Sequence, residues 1–193
     1  MHFNNYVIKY GIPNGISEDG HERKVFYMGP LRDEKVLYRL TGTSEKALAI
    51  ATDVARRMSY REVDPAHVLV AVSSLGVSDA KMPTPRILRE IGLRHEEIFS
   101  FFNSYGGFRY DPLEEYPLNG ASKEALHLAD QVAHTRGFDT MINLNDFAAG
   151  IFMSDSELIE GLLLKLMIPR IDVLRRLQVD PWMLQRYRVA ITV

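Results

Sequence analysis

The histidines are the first residues to weigh for chemistry, since the chain contains no cysteine: thiolate nucleophiles, disulfides and Cys-based zinc sites are all excluded. A histidine does acid–base work or holds a metal only beside partners at the right spacing. His67 lies in the run "VDPAHVLVAV" (Val63 to Val72), three residues after Asp64. Asp64 has the side chain of a helix N-cap, and Pro65 fits the first helical position, where its missing N–H would be unpaired anyway. His67 is then the third helical residue, placed to bond back toward the cap or to pack on a neighbouring helix. A metal there would need two or three more ligands. Asp64, Pro65 and His67 therefore read as a helix-start motif, not a catalytic or metal site.

The other histidines fare no better. His127 and His134 lie on one helical stretch, two turns or about 10 Å apart, too far to share a metal without further ligands. They read as exposed side chains. "HEE" at His95 lacks the second histidine of H-E-x-x-H, and His2 and His21 have no partner in the sequence. There is no G-x-x-x-x-G-K-[ST] phosphate loop and no G-x-S-x-G elbow. No catalytic residue, no metal ligand and no cofactor are expected.

The elements that carry these residues are duplicated. "LTGTSEKALAIATDVA" (Leu40–Ala55) aligns without gaps on "LNGASKEALHLADQVA" (Leu118–Ala133), identical at eight of sixteen positions. The match continues more weakly: "DPAHVLVAV" falls over "LNDFAAGI" after a one-residue insertion, and Ile87–Phe99 over Leu162–Leu174. Asp146 stands where the first copy has His67. Repeat 1 spans about 40–103 and repeat 2 about 118–178, with a loop at 104–117 between them.

Each unit reads as four helices. Ala47, Leu48, Ala51, Val54, Ala55 and Met58 recur at helical spacing, with Thr41 as N-cap and Asn119 matching it in the second copy. Asp64-Pro65 starts the next helix. "PTPRILREIG" gives a third, with Thr84 as cap, Pro85 in the first turn and Gly92 as the stop. "HEEIFSFF" gives a fourth, and Pro169 opens the last helix of the second unit. The expected fold is an all-α core of two tandem four-helix repeats related by pseudo-twofold symmetry (39–178). Residues 1–38 form an extension, in which "NYVIKYG" and "RKVFYMG" make a hairpin. In the tail, 179–193, "YRVAITV" is a candidate third strand of this small β appendage. The loop is rich in aromatic residues: Tyr105, Phe108, Tyr110 and Tyr116 either lie down on the helices or offer anchors to a partner.

Composition narrows the partners. The 193 residues are 46% hydrophobic and 25% charged, with a formal net charge of -2 and bases alternating with acids. Nothing there draws the chain to nucleic acid or an anionic membrane. No apolar run approaches the ~18–20 residues that span a bilayer, and "MHFNNYVIKY" lacks the pattern of a signal peptide. A cytoplasmic protein is expected.

"TSEKALAIATDVARRMSYREVDPAHVLVAV" resembles the N-terminal repeat domain of Clp-family AAA+ unfoldases. Thr41, Leu48, Ala51, Ala55, Met58, Val63, His67, Leu69 and Val72 fall on matching or conservatively changed positions of that pattern, and "RILREIGL" resembles its V-L-x-E-L-G-V. The resemblance implies a non-enzymatic binding module that receives adaptors and substrate polypeptides. The ATPase modules are absent from this sequence, as expected of a free-standing accessory or adaptor or of a fragment of a longer protein; the initiator-like Met1 and the non-repeat tail argue mildly against the fragment. Clp ATPase or protease subunits, or polypeptide substrates, are the implied partners. The alternative is a decoy or sensor that binds small ligands or peptides aimed at the unfoldase's own domain. Some family members recognise phosphorylated arginine through the Glu of G-T-E-H in each repeat. Here those positions are Ala66 and Asn145, neither of which supplies a charge-assisted bond to a guanidinium, so weak or no phosphoarginine binding is expected.

Overall fold

Helix α1 (Gly42–Arg57) starts where Thr41 caps it, its hydroxyl accepting from Ser44 N. The structure, a computed structural model, describes residues 25–28, 36–105, 116–137 and 140–185. Ala47, Leu48, Ala51 and Ala55 form the buried stripe of α1 and face α2 (Pro65–Ser78). α3 (Pro83–Glu90) and α4 (His95–Ser104) complete the first unit. The second follows the same order with α5 (Gly120–Thr135), α6 (Leu144–Met153), α7 (Glu157–Leu166) and α8 (Arg170–Arg176). A short helix over 181–185 comes after it. The all-α core expected from the sequence is observed.

α2 and α6 are apolar on every side and buried along most of their length, as helices at the centre of a core must be. They pack on each other, α1 covering α2 and α5 covering α6. Phe102, Phe147 and Phe152 are among the side chains fully enclosed there, each contributing roughly 2–3 kcal/mol by leaving water. The α5–α6 contact is so close that a Cβ on Gly150 would lie 2.1 Å from the carbonyl oxygen of Ala125.

The two units are joined reciprocally. Leu40, just before α1, bridges in parallel to Ile142, just before α6; Val63, just before α2, bridges in parallel to Leu118, just before α5. Thr41 N donates to Ile142 O (3.0 Å), and Asn119 N donates to Val63 O (3.1 Å). Ser44 Oγ and Ser122 Oγ, both buried, donate to those same carbonyls, Ile142 O at 3.0 Å and Val63 O at 2.6 Å. This exchange is the pseudo-twofold relation in hydrogen bonds. It extends to backbone conformation: Gly92 (φ 94°) after α3 and Met167 (φ 53°) after α7 are both left-handed and hold equivalent places in the repeats.

One expectation needs correction. Thr84 does not cap α3. The helix begins at Pro83, behind Met82, which makes no side-chain cap bond, and Thr84 is buried within the first turn. Pro83, like Pro85, tolerates the first turn because it has no N–H to satisfy there. In the N-terminal extension β1 (Val25–Met28), from "RKVFYMG", pairs antiparallel with β2 (Val36–Arg39), in the register Val25↔Arg39 to Met28↔Val36. The expected strand in "NYVIKYG" and the tail strand in "YRVAITV" lie outside the described residues.

Candidate functional site

The start of α2 is a hub. Asp64 Oδ1 accepts from Ala66 N (2.8 Å), capping the helix, and Asp64 N donates to His67 Nδ1 (2.9 Å), closing a capping box. The same carboxylate accepts from Asn119 Nδ2 (2.8 Å), the cap of α5, and from Ser156 Oγ (3.2 Å), the cap of α7. One side chain thus ties together the starts of three helices drawn from both repeats. Because His67 Nδ1 accepts, its proton sits on Nε2. That nitrogen is buried and finds no hydrogen-bond partner among the described residues. Tyr60 covers the imidazole in a T-shaped contact with ring centroids 4.5 Å apart, and its hydroxyl donates to Tyr105 O (2.9 Å). Burial pushes the His67 pKa down to about 4, the Asp64 charge opposing that shift. Among the described residues, no three His, Cys, Asp or Glu side chains come together as a metal site.

The second repeat builds the equivalent helix start with other chemistry. Asn143 caps α6, its Oδ1 accepting from Asn145 N and Asp146 N, and Asp146 Oδ2 accepts in return from Asn143 N (2.9 Å). Asp146 is buried, and Arg136, at the end of α5, pairs with it. Burial raises the Asp146 pKa; the bond from the Asn143 backbone and the Arg136 guanidinium pull it back down. The sequence reading missed Arg136. The N-x-x-D spacing of Asn143 and Asp146 was a usable capping signal, but nothing local announces the arginine ten residues upstream.

Beside this second start opens a groove of about 710 Å³ between the repeats. Its walls bring together the first turns of α1, α3 and α6 with the ends of α5 and α8. Ile87, Val132, Leu144 and Leu177 give it an apolar floor; Arg86, Arg136 and the Thr41 and Thr43 side chains supply polar edges.

Asn145 lines this groove, but its amide is engaged, Nδ2 donating to Leu177 O at 2.6 Å. Ala66 is fully buried. Tyr116 is buried in the core, so its ring is not offered to solvent; the anchor reading does not apply to it. Tyr105 is 55% exposed and leans on Phe101, centroids 4.9 Å apart. Phe108 and Tyr110 lie outside the described residues. His127 and His134 are exposed and bond to Gln131 Nε2 and Asp130 O, one helical turn away. His95 Nδ1 lies 2.9 Å from Ser73 Oγ, whose hydroxyl also donates to Val70 O, an arrangement that ties α4 to α2.

No protein-family model matches the sequence, and no curated protein matches it. Solved structures share its fold. The N-terminal domain of Hsp104 from Candida albicans superposes with a TM-score of 0.57 over 72% of this chain and 88% of its own, at 11% identity. The N-terminal domain of the caseinolytic protease associated chaperone ClpD from Arabidopsis thaliana gives 0.57 over 72% and 92%, at 14% identity. The ClpV N-domain, solved in complex with a VipB peptide, gives 0.54 over 74% and 89%, at 15% identity. The fold of this chain is the Clp N-terminal domain fold.

Proposed function

We propose, from the Clp N-terminal domain fold and the groove between its repeats, that this chain is a non-enzymatic protein-binding module. On this reading it is an accessory or adaptor of a Clp ATP-dependent protease or unfoldase, and it binds the unfoldase, its adaptors or substrate polypeptides. The groove beside Asn145 carries the proposal. An apolar floor edged by a few polar side chains suits an extended peptide segment: its side chains bury in the floor while polar side chains at the edge, such as Arg86 and Thr43, meet its backbone. That a ClpV N-domain of this fold was solved with a peptide supports the same reading. The reading needs no acid–base pair and no metal. Among the described residues, no helix is long and apolar enough to cross a membrane.

The test is affinity capture of the tagged full chain from its native cytosol, with the recovered proteins identified by mass spectrometry. Ile87→Glu, which places a charge on the groove floor, serves as the matched variant. Wild type is expected to recover Clp ring subunits, and Ile87→Glu, shown by circular dichroism to be folded at the assay temperature, to recover several-fold less. Reproducible absence of ring subunits would sink the adaptor reading. Equal recovery by both proteins would move the contact away from this groove.

A further inference from the structure

The two helix starts at the inter-repeat joint do the same job with acceptors that answer differently to acid. At α6 the acceptor for the cap N–H is the Asp146 carboxylate, held by Arg136. At α2 it is an imidazole nitrogen, His67 Nδ1, which accepts only while it carries no proton. The ring has no second foothold, since its Nε2 is enclosed without a partner among the described residues. Its other neighbour is the half-buried Tyr60, which lies over it edge to face. The titratable groups that meet the ring are Asp64, at the start of its own helix, and Tyr60, from the turn after α1. From α5 and α7 the uncharged Asn119 and Ser156 reach the same place through the Asp64 carboxylate.

We propose that the His67–Asp64 box is an acid-sensitive latch on the joint between the repeats. A proton on Nδ1 turns the acceptor into a donor facing the Asp64 N–H. The imidazolium is then buried without an acceptor for either N–H, and it leaves its place under Tyr60. The start of α2 loosens, and Asp64 loses the position from which it holds the caps of α5 and α7. Tyr60, whose hydroxyl bonds Tyr105 O, carries the change to the end of α4. The second repeat has a carboxylate and an arginine at the equivalent place and so answers to acid by different chemistry. The latch is independent of what the groove binds.

The full-length chain tests this directly. By NMR, the His67 ring, the Asp64 amide and the Asn119 side-chain amide are followed from about pH 7 down to about pH 4. All three are expected to move together, with one common midpoint. His67→Gln keeps an acceptor for Asp64 N and cannot titrate. Its urea midpoint is expected to fall less steeply than that of wild type between histidine's ordinary value near 6.5 and about 4. An Asn119 amide that ignores the imidazole titration would overturn the latch. So would a His67→Gln protein with the wild-type pH slope, since the acid response would then belong to the carboxylates. If His67→Gln does not fold, the wild-type NMR titration decides alone.

Discussion

The carboxylate of Asp64 and the side-chain amide of Asn119, 55 residues apart in sequence, bond at 2.8 Å while each caps its own helix. A lone N-cap stabilises its helix by about 1 kcal/mol. Asp64 also receives Ser156 Oγ, so its loss leaves several donors at the joint without an acceptor. Asp64→Ala is therefore expected to lower unfolding free energy by about 2–4 kcal/mol, read from urea denaturation at neutral pH. A loss of about 1 kcal/mol or less would reduce Asp64 to an ordinary cap.

Arg136→Ala strips the counter-ion from a carboxylate whose side chain is only 3% exposed. The arginine is itself 45% exposed, so solvent already screens part of the pair. The expected cost is about 2 kcal/mol at pH 7. Burial already holds the Asp146 pKa above its ordinary value, and losing Arg136 raises it further. Asp146 then protonates earlier as pH falls, which relieves the uncompensated charge. The deficit relative to wild type should shrink toward acid. Chemical denaturation at a series of pH values checks the sign; a deficit that grows on acidification would contradict it.

Phosphoarginine should produce no measurable heat in calorimetry at sub-millimolar concentrations. Ala66 has neither charge nor exposure, and the Asn145 amide is committed to Leu177 O. Micromolar binding would overturn this expectation.

Met167 sits in the left-handed region at φ 53° with its side chain 88% exposed. Its counterpart in the first repeat is Gly92, which adopts φ 94° without a Cβ penalty. Met167→Gly is expected to raise stability by about 0.5–1 kcal/mol, partly offset by the greater freedom of glycine in the unfolded chain. Gly150→Ala runs the other way: its new Cβ must displace α5 backbone, and a loss of about 2 kcal/mol or more is expected. Thermal melts of the two variants side by side distinguish relieved strain from a forced clash.

The helices were legible because their signals are local. The apolar stripe of α1, the Asp64-Pro65 start and the Gly92 stop each act within a turn or two of chain. The duplication was legible because both copies keep these signals in order. What escaped depends on distance. The Asp64–Asn119 bond and the Arg136–Asp146 pair join segments that only the packed fold brings together. β-propensity near the N-terminus did not single out 36–39, which pairs with 25–28. For Tyr116, aromatic character did not reveal which way the ring points. The groove drew walls from five helices, so no stretch of sequence contained it.

The crossed bridges, Leu40 to Ile142 and Val63 to Leu118, mean that neither repeat finishes its own helix starts. The carbonyl that orders the beginning of α1 belongs to the second repeat, and the one that orders α5 belongs to the first. The unit that was copied is therefore half the unit that folds. A single repeat made alone carries both the donors and the acceptors of the joint but cannot bring them together within one chain. It can satisfy them only against another copy of itself. Analytical ultracentrifugation of residues 39–103 alone should find a twofold dimer or an unfolded monomer; a folded monomer would contradict this dependence of each repeat on the other.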